Sequence, residues 1–94
     1  MDSARPINLL FVDDDAAYMA IARHLLGKYQ GSRFQVTWKQ DAGSSLAYLS
    51  GNPEIDLIVI DYFLPDMNGL YLVQQIRERK IDSPIIFLTS NRDF

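Results

Sequence analysis

The chain has 94 residues, 48% of them apolar and 22% charged, with a formal net charge of −3, one histidine and no cysteine. That length suits one small domain with a modest core, and the acidic balance argues against a nucleic-acid-binding surface in this segment. Without cysteine there are no disulfides or thiolate metal sites, and His24 alone makes zinc a poor fit. No apolar run approaches the roughly 20 residues needed to span a bilayer. Met1-Asp2-Ser3-Ala4-Arg5-Pro6 lacks the apolar stretch of a signal peptide, so a cytoplasmic protein is expected.

Residues 1–6 read as a short irregular lead, and Ile7 to Val12 as a first strand. Asp14 or Asp15 is placed to cap the following helix, because an aspartate side chain accepts from the free N–H groups of a first turn. Tyr18, Ile21, Ala22, Leu25, Leu26 and Tyr29 recur at helical spacing and mark one face of that helix. Gly31 is a reasonable stop. Phe34-Gln35-Val36-Thr37-Trp38-Lys39 alternates apolar and polar, as a less buried or edge strand does. Asp41 can start a second helix, weak in propensity through Gly43, Ser44 and Ser45, held by Leu46 and Leu49 and ended by Gly51-Asn52-Pro53. Leu57-Ile58-Val59-Ile60-Asp61 is a continuous apolar run, the pattern of a parallel strand buried on both faces. A helix from about Leu70 to Arg79 turns Leu72, Val73 and Ile76 inward, and Ile85 to Leu88 forms a fourth strand ending at Thr89. Strands alternating with helices indicate a parallel sheet with right-handed crossovers.

The chemistry gathers at one edge of that sheet. Leu9-Leu10-Phe11-Val12 runs into Asp13-Asp14-Asp15 just as Leu57 to Ile60 runs into Asp61. If these strands are parallel neighbours, the carboxylates converge where open α/β sheets bind ligands. Acids that close repel unless a cation or protons intervene. A few hard oxygens with room for water suit Mg²⁺. Taken singly, each feature has an ordinary explanation: helix capping for Asp13, Asp14 and Asp15, turn chemistry for Pro65 and Asn68-Gly69, and β propensity for Thr89.

Together, Val12-Asp13-Asp14, Asp61 followed by Leu64-Pro65 and Asn68-Gly69, and Thr89 at a strand end resemble the receiver domain of two-component response regulators. The resemblance covers roughly residues 7 to 91. It implies a three-layer α/β fold with a flavodoxin-like parallel sheet, here in strand order 2-1-3-4 with the family's fifth strand missing. It implies that Asp61 accepts a phosphoryl group from a histidine kinase or histidine phosphotransfer protein, docking near the first helix. It further implies that Asp14, Asp61 and the Phe63 backbone carbonyl hold Mg²⁺ directly and Asp13 through a water. Thr89 would be the hydroxyl that follows the phosphoryl group during activation, with a C-terminal output domain as a further possibility. An aspartate phosphoacceptor of this kind is a signalling element rather than an enzyme.

Two departures from the family pattern carry expectations. The chain stops at Phe94, before the family's fourth helix, fifth strand, fifth helix and the lysine after that strand, so residues 1–94 are expected to be a single incomplete receiver domain. Arg92 does not replace that lysine by position. Ile85 to Leu88 then becomes an uncovered apolar edge, which predicts self-association. The second departure is Phe63, two residues beyond Asp61. A side chain that cannot hydrogen-bond a hydrolytic water implies slow loss of phosphate. Two other readings compete with this one. One is a receiver-like interaction module that is not phosphorylated. The other is an aspartate-nucleophile phosphatase of the haloacid dehalogenase type, whose Asp-x-Asp-x-Thr/Val motif fails at Ala17 and at Phe63.

Overall fold

The structure, a computed structural model, describes residues 5–29 and 33–89. The elements alternate along the chain: β1 (Ile7–Val12), α1 (Ala16–Lys28), β2 (Phe34–Lys39), α2 (Ala42–Gly51), β3 (Leu57–Asp61), α3 (Gly69–Glu78) and β4 (Ile85–Leu88). The four strands form one parallel sheet in the order β2-β1-β3-β4, as the alternation of apolar runs and helical segments predicts. The expected fold class and strand order are therefore both present.

The two central strands explain their own composition. In β1, Leu10 and Val12 pack with Ile58 and Ile60 of β3 against α2 and α3, alongside Leu49, Leu72 and Ile76. Leu9 and Phe11 point the other way and meet Val59 and Met19 under α1. Successive side chains of a strand face opposite sides, so a strand covered on both faces needs no polar positions. β2, at the edge, alternates as expected: Phe34, Val36 and Trp38 join the α1 side while Gln35 is exposed. β4 is the outer strand on the other side of the described sheet. Ile85 and Phe87 pack toward α2 and α3, whereas Ile86 is 49% exposed.

Helix α1 departs from the simplest reading of its sequence. Its buried anchor is Met19, 1% exposed, with Ala22 and Leu26 partly buried beside it. Tyr18, Ile21, Leu25 and Tyr29 form the adjacent stripe and remain largely in water, Ile21 and Leu25 at 60% and 62% exposure. The helix is apolar around more of its circumference than one contact face requires, so spacing alone does not choose the side that packs. The helix ends at Lys28 with Tyr29 as its cap; Gly31 lies outside the described residues.

Helix α3 closes in a manner that its sequence does not advertise. Lys80 takes φ 64°, Lys80 N donates to the Arg77 carbonyl at 3.0 Å, and Ile81 N donates to the Ile76 carbonyl at 3.4 Å. This is a Schellman closure with lysine where glycine is usual. Its accompanying hydrophobic contact comes from Ile76 and Ile81, both in the core. Arg77 then donates through Nη1 to the carbonyls of Ile81 and Ser83, and Ser83 Oγ donates to the Ile55 carbonyl at 2.6 Å. The chain is thus steered from α3 into β4.

The burial contrast on α1 is directly testable. Met19→Ala should cost about 2–5 kcal/mol of unfolding free energy, as for other large-to-small core changes. Ile21→Ala should change it by only about 0.5 kcal/mol, as for surface sites. Urea unfolding of the two variants checks this, and equal losses would mean that α1 packs through its other stripe.

Candidate functional site

The parallel pairing of β1 with β3 brings the two carboxylate runs together. Val12 lies opposite Ile60, so Asp13 and Asp61 emerge side by side at the carboxyl edge of the sheet. One carboxylate oxygen each from Asp13, Asp14 and Asp61 lie within 4.8 Å of one another. Asp13 is 4% exposed and Asp61 1%, while Asp14 is open to solvent. Two walls of the cluster are dry and one is wet, an arrangement in which a cation can enter hydrated and exchange some waters for carboxylate oxygens. Asp15, the third acid of the run, stands outside this cluster: its Oδ1 accepts from Tyr18 N at 3.0 Å and caps α1.

Asp13 is held by several contacts. Its Oδ1 accepts from Asp15 N at 2.9 Å, and its own N–H donates to the Lys39 carbonyl at 3.1 Å. Its carbonyl accepts from the Trp38 indole N–H at 2.6 Å, and Trp38 in turn carries the Arg23 guanidinium at 5.8 Å from its ring. A tryptophan on the edge strand therefore fixes the backbone that delivers Asp13 and Asp14. Burial pushes the Asp13 carboxyl above the ordinary carboxylate range; the hydrogen bond from Asp15 opposes this, and the charges of Asp61, Asp14 and Asp15 add to it.

The loop after Asp61 is built tightly. Phe63 bridges to Asn68 in antiparallel fashion, Gly69 N donates to the Tyr62 carbonyl at 2.7 Å, and Asn68 Oδ1 caps α3 by accepting from Tyr71 N at 2.8 Å. Gly69 is required by close approach. A Cβ there would sit 2.5 Å from the Asp61 carbonyl oxygen and 2.8 Å from a Phe87 ring carbon. Tyr62 stacks edge-on to both Phe63 and Phe87, and the Phe63 ring is 40% exposed. Thr89 is exposed and directly follows Leu88, the register partner of Asp61, so it belongs to the same sheet edge. The structure brings together Asp13, Asp14 and Asp61, and it sets Phe63 and Thr89 on the adjoining loop and strand end. Two contributors escaped the sequence reading. Trp38 reads there only as an apolar strand position. Asp66 carries no role there, yet its carboxylate reaches the start of α2.

The sequence profile of the response regulator receiver domain family matches residues 9–94. The chain belongs to that family. Among relatives, a response-regulator-type protein of Arabidopsis thaliana, ARR21, is 34% identical over 90 residues, which is 95% of this chain and 14% of that protein. The response regulator SaeR of Staphylococcus aureus is 31% identical over 83 residues, 88% of this chain and 34% of that protein. The chain thus spans about a third of the length of one of these relatives and less of the other. Among solved structures, the CheY-like receiver domain from Methylobacillus flagellatus superposes with a TM-score of 0.81 at 26% identity, covering 94% of this chain and 73% of that one. The phosphorylated cyanobacterial phytochrome response regulator RcpA shares the fold, with a TM-score of 0.78 at 21% identity over 95% of this chain and 69% of its own. The receiver family is a family of signalling modules in two-component systems. Among the described residues, no helix is long and apolar enough to cross a membrane.

The acid cluster of this receiver domain gives a pH signature. A carboxyl whose folded pKa is raised binds more protons in the folded than in the unfolded state. Stability therefore falls as pH rises from the ordinary value of 3.8 through the raised one. Above that window the fold carries the whole electrostatic cost of Asp13. In metal-free buffer Asp13→Asn, which keeps an acceptor for Asp15 N, should melt higher than the wild type at neutral pH. The gap should close as pH falls toward the ordinary carboxylate range. A variant that melts no higher at neutral pH would contradict this account.

Proposed function

We propose that this receiver domain takes a phosphoryl group on Asp61 from the phosphohistidine of a histidine kinase or phosphotransfer protein, with Mg²⁺ as cofactor. The observation that carries the reading is the convergence of Asp13, Asp14 and Asp61, two of them buried, at the carboxyl edge of the sheet. The donor set fits the ion, since all three are hard oxygen ligands and Asp14 leaves a wet side. Asp14, Asp61 and the Phe63 carbonyl would hold Mg²⁺ directly and Asp13 would act through a bound water. Bound there, Mg²⁺ neutralises and orients the transferring group.

An Asp61 carboxylate oxygen attacks phosphorus and the bond from phosphorus to the imidazole nitrogen breaks; the nitrogen keeps the bonding pair, and the histidine, protonated on its other ring nitrogen, departs as neutral imidazole. The product on Asp61 is an acyl phosphate. β1 and β3 hold the acids in place, so little reorganisation precedes attack. The new charge lies beside Asp13 and Asp14, and the Thr89 hydroxyl at the end of the neighbouring strand would follow its oxygens and carry the change outward. Any output domain would read that change, and the cytoplasm would be the setting. Phe63 offers no hydrogen-bonding side-chain atom to a hydrolytic water, so the acyl phosphate would be long-lived.

Intact-mass spectrometry after incubation with a small acyl-phosphate donor tests this reading. The wild type should gain one phosphoryl group only when Mg²⁺ is present, and Asp61→Asn should gain none. Phe63→Asn should gain the group and lose it faster. A gain that persists in Asp61→Asn, or none in a folded wild type, would overturn the assignment.

We propose also that this chain self-associates through β4. That strand is the outer member of the described sheet, and Ile86 stands 49% exposed on it. Apolar outer strands of this kind offer backbone groups to a second copy. Sedimentation velocity should show a concentration-dependent oligomer that Ile86→Lys weakens; a monomer at every concentration would refute this.

A further inference from the structure

The loop that follows Asp61 is tied at its tip to a different element. Asp66 Oδ1 accepts from Ala42 N at 2.9 Å and Asp66 Oδ2 accepts from Gly43 N at 2.8 Å. These are the first two N–H groups of α2, 24 and 23 positions away in sequence. The next, Ser44 N, donates to Asp41 Oδ1 at 2.8 Å, and Ser45 N to the Asp41 carbonyl at 3.3 Å. A helix start leaves its first N–H groups without helical partners; here the Asp41 side chain serves Ser44 N and Asp66 serves the two before it, while Ser45 N makes the first helical bond. Both bonds of Asp66 run to a carboxylate at the positive end of a helix, where charge assistance and the helix dipole add. α2 needs the help, since its first turn is built from Gly43, Ser44 and Ser45.

The other end of this arrangement is the acid pocket. Between Asp61 and α3 the loop is pinned at its base by the Gly69 and Asn68 contacts and at its tip by Asp66. Phe63, whose carbonyl is assigned to the metal, belongs to the base pin through its bridge to Asn68, and the chain runs from it directly to the tip. We propose that Asp66 is a positioning residue that clamps this loop onto the first turn of α2 and so couples Mg²⁺ binding at the acid pocket to the order of the α2 N-terminus. The inference rests on the Mg²⁺ reading given above. The coupling is reciprocal: whatever the clamp contributes to metal affinity, the metal returns to the clamp.

Two measurements on the 94-residue chain test it. In calorimetric titrations with magnesium chloride, Asp66→Ala should bind about 5-fold or more weakly than the wild type, the lower bound of ordinary coupling. Asp66→Asn, which keeps one of the two acceptors, should fall between. Asp41→Ala removes the other cap of α2 and leaves the clamp, so it should lower the melting temperature while retaining near-wild-type affinity. In the wild type, Mg²⁺ should slow hydrogen exchange at the Ala42 and Gly43 amides. Undiminished affinity in Asp66→Ala and Asp66→Asn together with unchanged exchange at these amides would overturn the clamp. An equal loss of affinity in Asp41→Ala would assign the effect to α2 unfolding and overturn it as well. A wild type that binds no Mg²⁺ is a different failure, that of the metal reading itself, and the inference falls with it. If Asp66→Ala does not fold, the exchange measurement and Asp66→Asn decide the matter.

Discussion

Two carboxylates, Asp13 and Asp61, are held almost entirely out of water at the ends of adjacent parallel strands. Removing such groups from solvent is costly, and bringing them together costs more. The fold bears that cost because β1 and β3 are locked between two apolar layers, one under α1 and one under α2 and α3. The strands cannot slide or splay to relieve the repulsion without exposing those layers. What remains is a site that gains from any compact positive charge, and the upward shift of the Asp13 carboxyl is the local sign of it. Stability and chemistry are therefore linked at the same atoms.

The surroundings of the acids are arranged as supports, and each comes from a different part of the chain. Trp38, on the edge strand, holds the Asp13 carbonyl. Gly69 lets the start of α3 press against the backbone of Asp61 and Tyr62. Asp66 joins the outer reach of the loop to α2. The metal and phosphoryl roles proposed for these acids would need positions held to fractions of an ångström, and side chains that hold other side chains and loops supply that. The loop after Asp61 is consequently less free than its turn-forming residues would suggest.

The apolar surface follows a different logic. α1 buries Met19 and leaves Ile21 and Leu25 outside, and on the same side of the sheet β4 leaves Ile86 outside. Val59 is the register partner of Ile86 and lies in the α1 cluster. The inner strands of that layer are thus covered, while on β4 Leu88 packs against the cluster and Ile86 stands exposed. This contrast sets the described sheet apart from one whose two edges are equally dressed: β2, at the opposite edge, keeps Gln35 on its surface.

Much of this protein was legible in its residues, because some physical requirements are local. Four apolar residues in succession need cover on both sides, so Leu57 to Ile60 announced a central parallel strand, and the alternation in Phe34 to Lys39 announced an edge. Acids placed at the ends of two such strands had to converge once the strands paired, which made Asp13, Asp14, Asp15 and Asp61 candidates; the fold keeps three of them together and turns Asp15 into the cap of α1. Other features depend on which distant segments meet. The side of α1 that packs was decided by the sheet, since Tyr18, Ile21 and Leu25 are as apolar as Met19, Ala22 and Leu26. Lysine at φ 64° in the closure of α3 is tolerated because Ile76 and Ile81 meet in the core beneath it. Trp38 and Asp66 became part of the site through hydrogen bonds spanning more than 20 residues of sequence. Spacing and composition report what a segment requires of its neighbours; only the packed chain determines which neighbour meets the requirement.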